Sequence, residues 1–187
     1  SSLIFKNAKG GNGGALIIKS NAVIIDCIFT DNLATNGASI YVASSGCATV
    51  INSLFTNNNA TSGGGAIIAY GNLNVFGSNF TKNFAVRGGA LDGKSETVCL
   101  NIYDSYFISN HADAYGGAVV FDGKGNIKNS IFINNDAALA GGAVYMWGNN
   151  HLILGSIFIN NSAVDGGAII GLNPLSGNKL LLNSTTT

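Results

Sequence analysis

One phrase recurs about six times along this chain, at a pitch of about 25 residues. It reads Ser-x-Phe-x-x-Asn-x-Ala, followed after a short spacer by Gly-Gly-Ala and an aliphatic residue. Clear copies are residues 130–137 with residues 141–144, and residues 156–163 with residues 166–169. A fixed period of this length predicts a stacked array in which each copy is one structural unit.

The phrase keeps its register over most of the chain. Its Phe position is filled by Phe29, Phe55, Phe80, Phe107, Phe132 and Phe158. The Asn position, three residues later, is filled by Asn32, Asn58, Asn83, Asn110, Asn135 and Asn161. The Gly-Gly-Ala element is degenerate only at residues 37–40. Because both positions recur in every copy, we expect them to be structural.

The units are β-structure rather than helix. Their spacers are rich in Gly and Asn, which disfavour helix interiors, and no window keeps a period of 3.6 residues. Short apolar runs such as residues 15–18 and 118–121 are bounded by Gly, Asn and Asp, as strands are. We therefore predict an all-β parallel β-helix, a solenoid of about seven coils with two or three short strands in each.

Stacking explains the composition of the phrase. Equivalent positions in successive coils lie about 4.8 Å apart. A Phe in every coil then forms a column of rings inside the tube, and an Asn in every coil forms a ladder of hydrogen-bonded amides. The Gly pair permits backbone angles that are closed to other residues and allows adjacent turns to approach closely.

Both ends of the sequence can be aligned with the phrase. Residues 2–7 fit with Ile4 in the Phe position, and residues 181–186 fit with Thr186 there. We expect a single domain over residues 1–187 that begins and ends in mid-repeat. It would be either a fragment of a longer array or a subunit that stacks on its neighbours through open strand edges.

The paired motifs Phe-x-x-Asn and Gly-Gly-Ala-(Ile/Leu/Val) resemble the repeats of the polymorphic outer-membrane proteins, which are autotransporter adhesins. They are also similar to the repeats of adhesin-like surface proteins of methanogenic archaea. The resemblance covers nearly the whole chain in six paired copies. It implies a right-handed parallel β-helix at the cell surface or outside the cell, with a role in adhesion or surface structure.

Charge and cysteine content restrict the partners. Only 10% of the residues are charged and the formal net charge is zero, so we expect no attraction to nucleic acid or anionic lipid by field alone. No apolar run is long enough for a membrane span. Cys47 and Cys99 share one position two coils apart, with Asn72 between them, which is too far for an internal disulfide. The sequence does not decide whether Cys47 or Cys99 forms an intermolecular disulfide.

One group of acids is a candidate catalytic site. Asp92 and Asp122 begin Asp-Gly pairs at similar points of adjacent coils, and Glu96 follows the first pair. A polysaccharide-active β-helix would need such clustered acids, but solvated Asp-Gly turns explain the pattern more simply. His111 and His151 occupy different positions, so a shared metal is not expected. We predict no cofactor and no enzymatic activity.

The stacking of coils explains the Phe and Asn positions, but it does not by itself explain a row of apolar residues that should face outward. The residue that follows the aliphatic one after Gly-Gly-Ala should face outward, as should the residue two positions later. These positions hold Ile17, Tyr41, Ile68, Tyr70, Val120, Tyr145, Trp147 and Ile170, interrupted by Asp92. A flat apolar stripe predicts a protein interface, although strand preference or a bulge would also account for the pattern.

Three functions fit the sequence. The first is a non-enzymatic extracellular surface protein, adhesin-like or structural, which meets receptors or other protein subunits. The second is a subunit of an extracellular filament or sheath, associating end to end or laterally. The third is a polysaccharide-active enzyme with Asp92, Asp122 and Glu96 as its acids, and it is the least favoured.

Overall fold

The computed structural model describes residues 2–147, 150–171 and 181–183. No helix occurs in these residues, and their strands form four parallel sheets, which we call A to D. Each coil contributes one strand to each sheet in that order, except that sheet B has no strand from the last coil. The predicted all-β parallel solenoid of about seven coils is confirmed. The expectation of two or three strands per coil is wrong, because most coils contain four.

The strands are short, mostly three to five residues. Sheet A contains Ile4–Lys6, Ile28–Thr30, Leu54–Thr56, Asn79–Thr81, Tyr106–Ile108, Ile131–Ile133 and Ile157–Ile159. Sheet B contains Lys9–Asn12, Leu33–Asn36, Asn59–Gly63, Phe84–Arg87, His111–Tyr115 and Asp136–Ala137. Sheet C contains Leu16–Ile18, Ile40–Val42, Ile67–Ala69, Leu91–Gly93, Val119–Phe121, Val144–Met146 and Ile169–Gly171. Sheet D contains Asn21–Ile25, Cys47–Ile51, Asn72–Phe76, Cys99–Tyr103, Lys124–Lys128, His151–Leu154 and Leu181–Asn183.

The Gly-Gly pair forms the corner between sheets B and C. Its first glycine has a positive φ, which is 58° at Gly88, and a side chain there would be strained. Its second glycine lies against the next coil: a Cβ on Gly89 would be 2.1 Å from the carbonyl oxygen of Gly117. Each glycine is therefore required for a different reason, one for backbone angle and the other for coil-to-coil approach.

The Phe position forms one column inside the tube. Ring centroids of successive members are 4.7–4.8 Å apart and the planes are within 7° of parallel. The first member is Phe5, which stacks on Phe29, whereas Ile4 is 63% exposed. The alignment that put Ile4 in the column is therefore wrong by one residue. Asn7, which suggested it, is instead a corner residue with a φ of 57°. Thr186 lies outside the described residues.

The Asn position forms a continuous ladder beside the Phe column. In Asn58, Nδ2 donates to Oδ1 of Asn83 in the next coil at 2.9 Å and to the carbonyl oxygen of Phe29 in the previous coil at 3.1 Å. The same Oδ1 of Asn83 also accepts the backbone N–H of Asn58 at 3.1 Å. The pattern repeats from Asn32 to Asn161 and links coils through side chains as well as through the sheets.

The three cysteines are free, and Asn72 lies between Cys47 and Cys99 as the repeat predicts. In the part of the chain that the structure describes, no helix is long and apolar enough to cross a membrane.

Candidate functional site

The outer face of sheet C carries the predicted apolar row, but the row is not a flat exposed stripe. Its members pair in register from Ile17 through Tyr41, Ile68, Asp92, Val120 and Tyr145 to Ile170. Ile17 is 52% exposed, whereas Ile68 and Val120 are at most 1% exposed and Tyr145 is 7% exposed. The prediction of a flat exposed surface is therefore wrong, because the corner from sheet B folds over the middle of the row.

This row, which we call the floor, lies between two walls. The first wall is the end of sheet B, where Gly63, Arg87, Tyr115 and Ala140 follow one another from coil to coil. The second wall begins where the chain leaves sheet C, at Tyr70, Lys94, Asp122 and Trp147. The strip between the two walls, which we call the groove, follows the solenoid axis from coil to coil.

The groove widens into a cavity of about 450 Å³ over three successive coils. It is lined by Arg87, Lys94, Ser95, Glu96, Tyr115, Asp122, Tyr145 and Trp147. The connection between Leu91–Gly93 and Cys99–Tyr103 forms part of its rim. That connection has five residues, against two in the coils on either side, so one long connection supplies Lys94, Ser95 and Glu96.

Arg87 and two carboxylates form the charged centre of the groove. Nη2 of Arg87 donates to Oδ1 of Asp122 at 2.6 Å and lies 3.5 Å from Oδ1 of Asp92. The Arg87 and Asp122 side chains are 25% and 18% exposed, and that of Asp92 is 0% exposed. Within the described residues, both carboxylate oxygens of Asp92 and Nε of Arg87 lack a hydrogen-bond partner. Asp92 is therefore a buried acid beneath the guanidinium.

The protonation of Asp92 is set by its burial. Loss of solvent raises the pKa of this carboxyl to about 7, against the opposing charges of Arg87 and Lys94. Gly63 packs against it closely, since a Cβ there would be 2.5 Å from Oδ2. The interpretation of Asp92 as a solvated turn is wrong, because it takes a floor position held elsewhere by apolar residues. Asp122 and Glu96 do reach the cavity.

Aromatic side chains border the charged centre. The rings of Tyr115 and Tyr145 have centroids 4.9 Å apart and are tilted by 40°. Trp147, the only tryptophan of the chain, is 50% exposed at the rim. Further along the groove, Tyr41 and Tyr70 form a second pair, with centroids 5.5 Å apart. The groove thus offers ring faces and an ion pair within one cavity.

Sequence reasoning missed Arg87 and Tyr115. Each directly precedes a Gly-Gly pair, where it closes a strand of sheet B. Arg87 is also the only arginine of the chain. A second signal was the spacing of Phe80 and Phe107, which are 27 residues apart where the neighbouring intervals are 25. That lengthening marked the coil with the long connection.

A second cluster of titratable groups lies on sheet B. Nδ1 of His111 lies 2.5 Å from a carboxylate oxygen of Asp136, and Nε2 lies 3.2 Å from one of Asp113. This arrangement crosses from one coil to the next and joins them on the surface. Among the described residues, no group of three or more His, Cys, Asp or Glu side chains is placed to hold a metal ion.

Residues 2–163 match the family model described as right handed beta helix region. The match agrees with the parallel solenoid and gives its handedness. The chain has no significant match among curated proteins or among solved structures.

Proposed function

This chain belongs to the right-handed beta helix family, and we propose that it is a non-enzymatic, adhesin-like protein of the cell surface or extracellular space. We propose further that it contacts its partner through the groove on sheet C. The observation that carries the proposal is the cavity in that groove, which is lined by three aromatic side chains and by the Arg87–Asp122 ion pair. The resemblance of the repeats to those of surface adhesins supports the location.

The solenoid is suited to holding such a face rigid. Every strand at the cavity is paired on both sides, and the Phe column and Asn ladder fix each coil against the next. Side chains on successive coils are therefore held at the strand spacing of about 4.8 Å. A contact face on a rigid element loses little conformational entropy on binding.

The burial of Asp92 argues against catalysis at this groove. General acid catalysis needs a carboxyl that can reach the substrate, with its pKa near the working pH. Asp92 has such a pKa, but its side chain is 0% exposed beneath Arg87. Asp122, which does reach the cavity, is held by Arg87 at 2.6 Å. Asp92 and Asp122 therefore do not converge on a substrate from opposite sides, as glycoside hydrolysis requires, which leaves Glu96 and the engaged Asp122 as the candidate acids that line the cavity.

Attachment to cell surfaces tests the proposal. Beads coated with the purified chain are expected to bind intact cells, and Trp147→Ala is expected to reduce the bound fraction. Tyr106→Ala is the matched control, because Tyr106 is an aromatic residue 45% exposed on sheet A, away from the groove. Equal attachment of both variants and the parent chain would contradict the groove as the contact face.

Two further measurements address the alternatives. Electron microscopy of the purified chain is expected to show single rods, and ordered polymers would favour a filament or sheath subunit instead. A panel of polysaccharides is expected to show no turnover. Turnover that Asp122→Asn abolishes would instead establish an enzyme.

A further inference from the structure

We propose that the cavity on sheet C binds a segment of an uncharged sugar chain. This inference rests on the proposed function and names the chemistry of the partner. It is carried by four features of the cavity: its charge balance, its unused hydrogen-bonding groups, its aromatic walls and its length along the solenoid.

The charges that line the cavity balance. Arg87 and Lys94 are opposed by Asp122 and Glu96, and the strongest contact is the 2.6 Å bond between Arg87 and Asp122. An anionic ligand would have to compete with Asp122 for the guanidinium. When the buried Asp92 is ionised, it adds a further negative charge 3.5 Å from Arg87. Both effects favour a neutral ligand over an acidic one.

The hydrogen-bonding groups fit neighbouring hydroxyls. Arg87 is a fixed donor and Asp122 a fixed acceptor, and they lie side by side at the cavity surface. A sugar hydroxyl both donates and accepts, so two adjacent hydroxyls can bridge such a pair. Across the ranges that the structure describes, Nε of Arg87 is buried without a hydrogen-bond partner, as are both carboxylate oxygens of Asp92. Buried polar groups that lack partners are costly, so a hydroxylated ligand that reaches Nε of Arg87 relieves part of that cost.

The aromatic walls fit the other side of a sugar ring. The ring faces of Tyr115 and Trp147 in the walls, and of Tyr145 in the floor, carry partial negative charge, and the C–H groups on a pyranose face carry partial positive charge. Trp147 leaves half of its surface exposed at the rim, although a large aromatic residue gains by burial. A ring laid against Trp147 would cover that surface without displacing any contact inside the protein.

The shape of the site favours a chain segment. The lining residues come from three successive coils, which span about 10 Å along the axis. A volume of about 450 Å³ lies within the roughly 300–1,000 Å³ range of ligand pockets. An extended peptide is disfavoured, because the cavity strands of sheet C are already paired on both sides and offer no free edge for strand addition.

Isothermal titration calorimetry with short oligosaccharides tests the inference. The probes are oligomers of glucose, mannose, galactose and N-acetylglucosamine, with galacturonic acid oligomers and sulfated chains as the acidic comparison. We expect at least one neutral oligomer to bind with a dissociation constant below about 1 mM, and the acidic chains to bind more weakly. Tighter binding of an acidic chain, or binding of unstructured peptides instead, would overturn the inference.

Three variants locate the binding. Trp147→Ala and Asp122→Asn are each expected to weaken binding of the neutral oligomer at least about tenfold. Tyr106→Ala on sheet A is expected to leave it unchanged. Thermal unfolding of all three should match that of the parent chain, since none of these side chains is buried in the core.

The sugar-binding inference and the proposed surface function can be refuted independently. If no oligomer binds but coated beads still attach to cells in a manner that depends on Trp147, the sugar inference is wrong and the surface role stands. If the beads do not attach at all, the proposed function fails as well.

Discussion

Asn83 lies at the middle of the amide ladder, and its replacement by alanine should be among the most damaging single changes in this chain. The residue is 1% exposed and its side chain takes part in four hydrogen bonds. Nδ2 donates to the carbonyl oxygen of Phe55 and to Oδ1 of Asn110, each at 3.0 Å. Oδ1 accepts from the backbone N–H of Asn58 at 3.1 Å and from its Nδ2 at 2.9 Å.

The expected loss follows from those four bonds. At a net value of about 1 kcal/mol each, Asn83→Ala removes about 4 kcal/mol from the free energy of unfolding. Two of the partners keep other bonds, because Nδ2 of Asn58 still donates to Phe29 and Oδ1 of Asn110 still accepts the backbone N–H of Asn83. The backbone N–H of Asn58 loses its acceptor inside the protein, which increases the cost.

A matched control lies on the outer face of sheet D. Asn126 is also an asparagine in an amide row, but it is half-buried and its side chain donates one bond, to Oδ1 of Asn101 at 2.7 Å. Its replacement by alanine should cost below about 1 kcal/mol. Urea unfolding followed by circular dichroism gives both values. The slope of the free energy of unfolding against urea concentration should be the same for both variants and the parent chain. Similar losses at the two positions would refute the claim that the ladder, rather than asparagine as such, holds the coils together.

Two further predictions test the core and the groove. Phe107→Ala should lower the free energy of unfolding by about 3–5 kcal/mol because it opens a hole in the ring column, whereas Lys124→Ala on the surface should cost under about 0.5 kcal/mol; equal small losses in urea unfolding would contradict the column. Burial raises the pKa of Asp92 from 3.8 to about 7, so between these values the folded chain holds more protons than the unfolded chain. The free energy of unfolding should therefore fall as pH rises from about 4 to about 7, and Asp92→Asn should flatten that decline. If the parent chain and Asp92→Asn lose stability in parallel over this range, Asp92 is not the buried ionisable group that causes the decline.

The repeated positions were predictable because six copies of the phrase keep them while most positions between them vary. Only a requirement common to every coil keeps a Phe and an Asn at the same two places, and the column and ladder supply that requirement. The first coil shows the limit of this reasoning. Ile4 and Phe5 are both apolar, and Asn7 imitates the ladder position although it adopts the left-handed corner that asparagine also favours. With one copy at the end of an array, the two roles of asparagine could not be separated.

The floor of the groove was predictable in direction but not in exposure. Alternation along a strand determines that Ile68 and Val120 point away from the core. It does not determine what lies above them, which depends on how the corner between sheets B and C folds back. Ile68 lies close to Gly37, a corner glycine of the preceding coil, and Val120 lies close to Gly116, the corner glycine of its own coil. That closeness is a property of the assembled solenoid and leaves no mark on the residue pattern of one strand.

The charged centre was the least predictable part, because a repeat predicts what coils share and this cavity is made of what they do not share. Asp92 takes a position that apolar residues hold in other coils, whereas the positions of Arg87 and Asp122 hold different residue types from coil to coil. A buried carboxyl destabilises a fold unless it is paired or protonated, so the repeat alone gives no reason for Asp92. Its neighbours give one. The guanidinium that lies over Asp92 also holds Asp122 at the cavity surface, and the long connection of the same coil adds Lys94. In a solenoid whose coils are otherwise interchangeable, departures that converge in space across adjacent coils are better evidence of a ligand site than any residue the coils have in common.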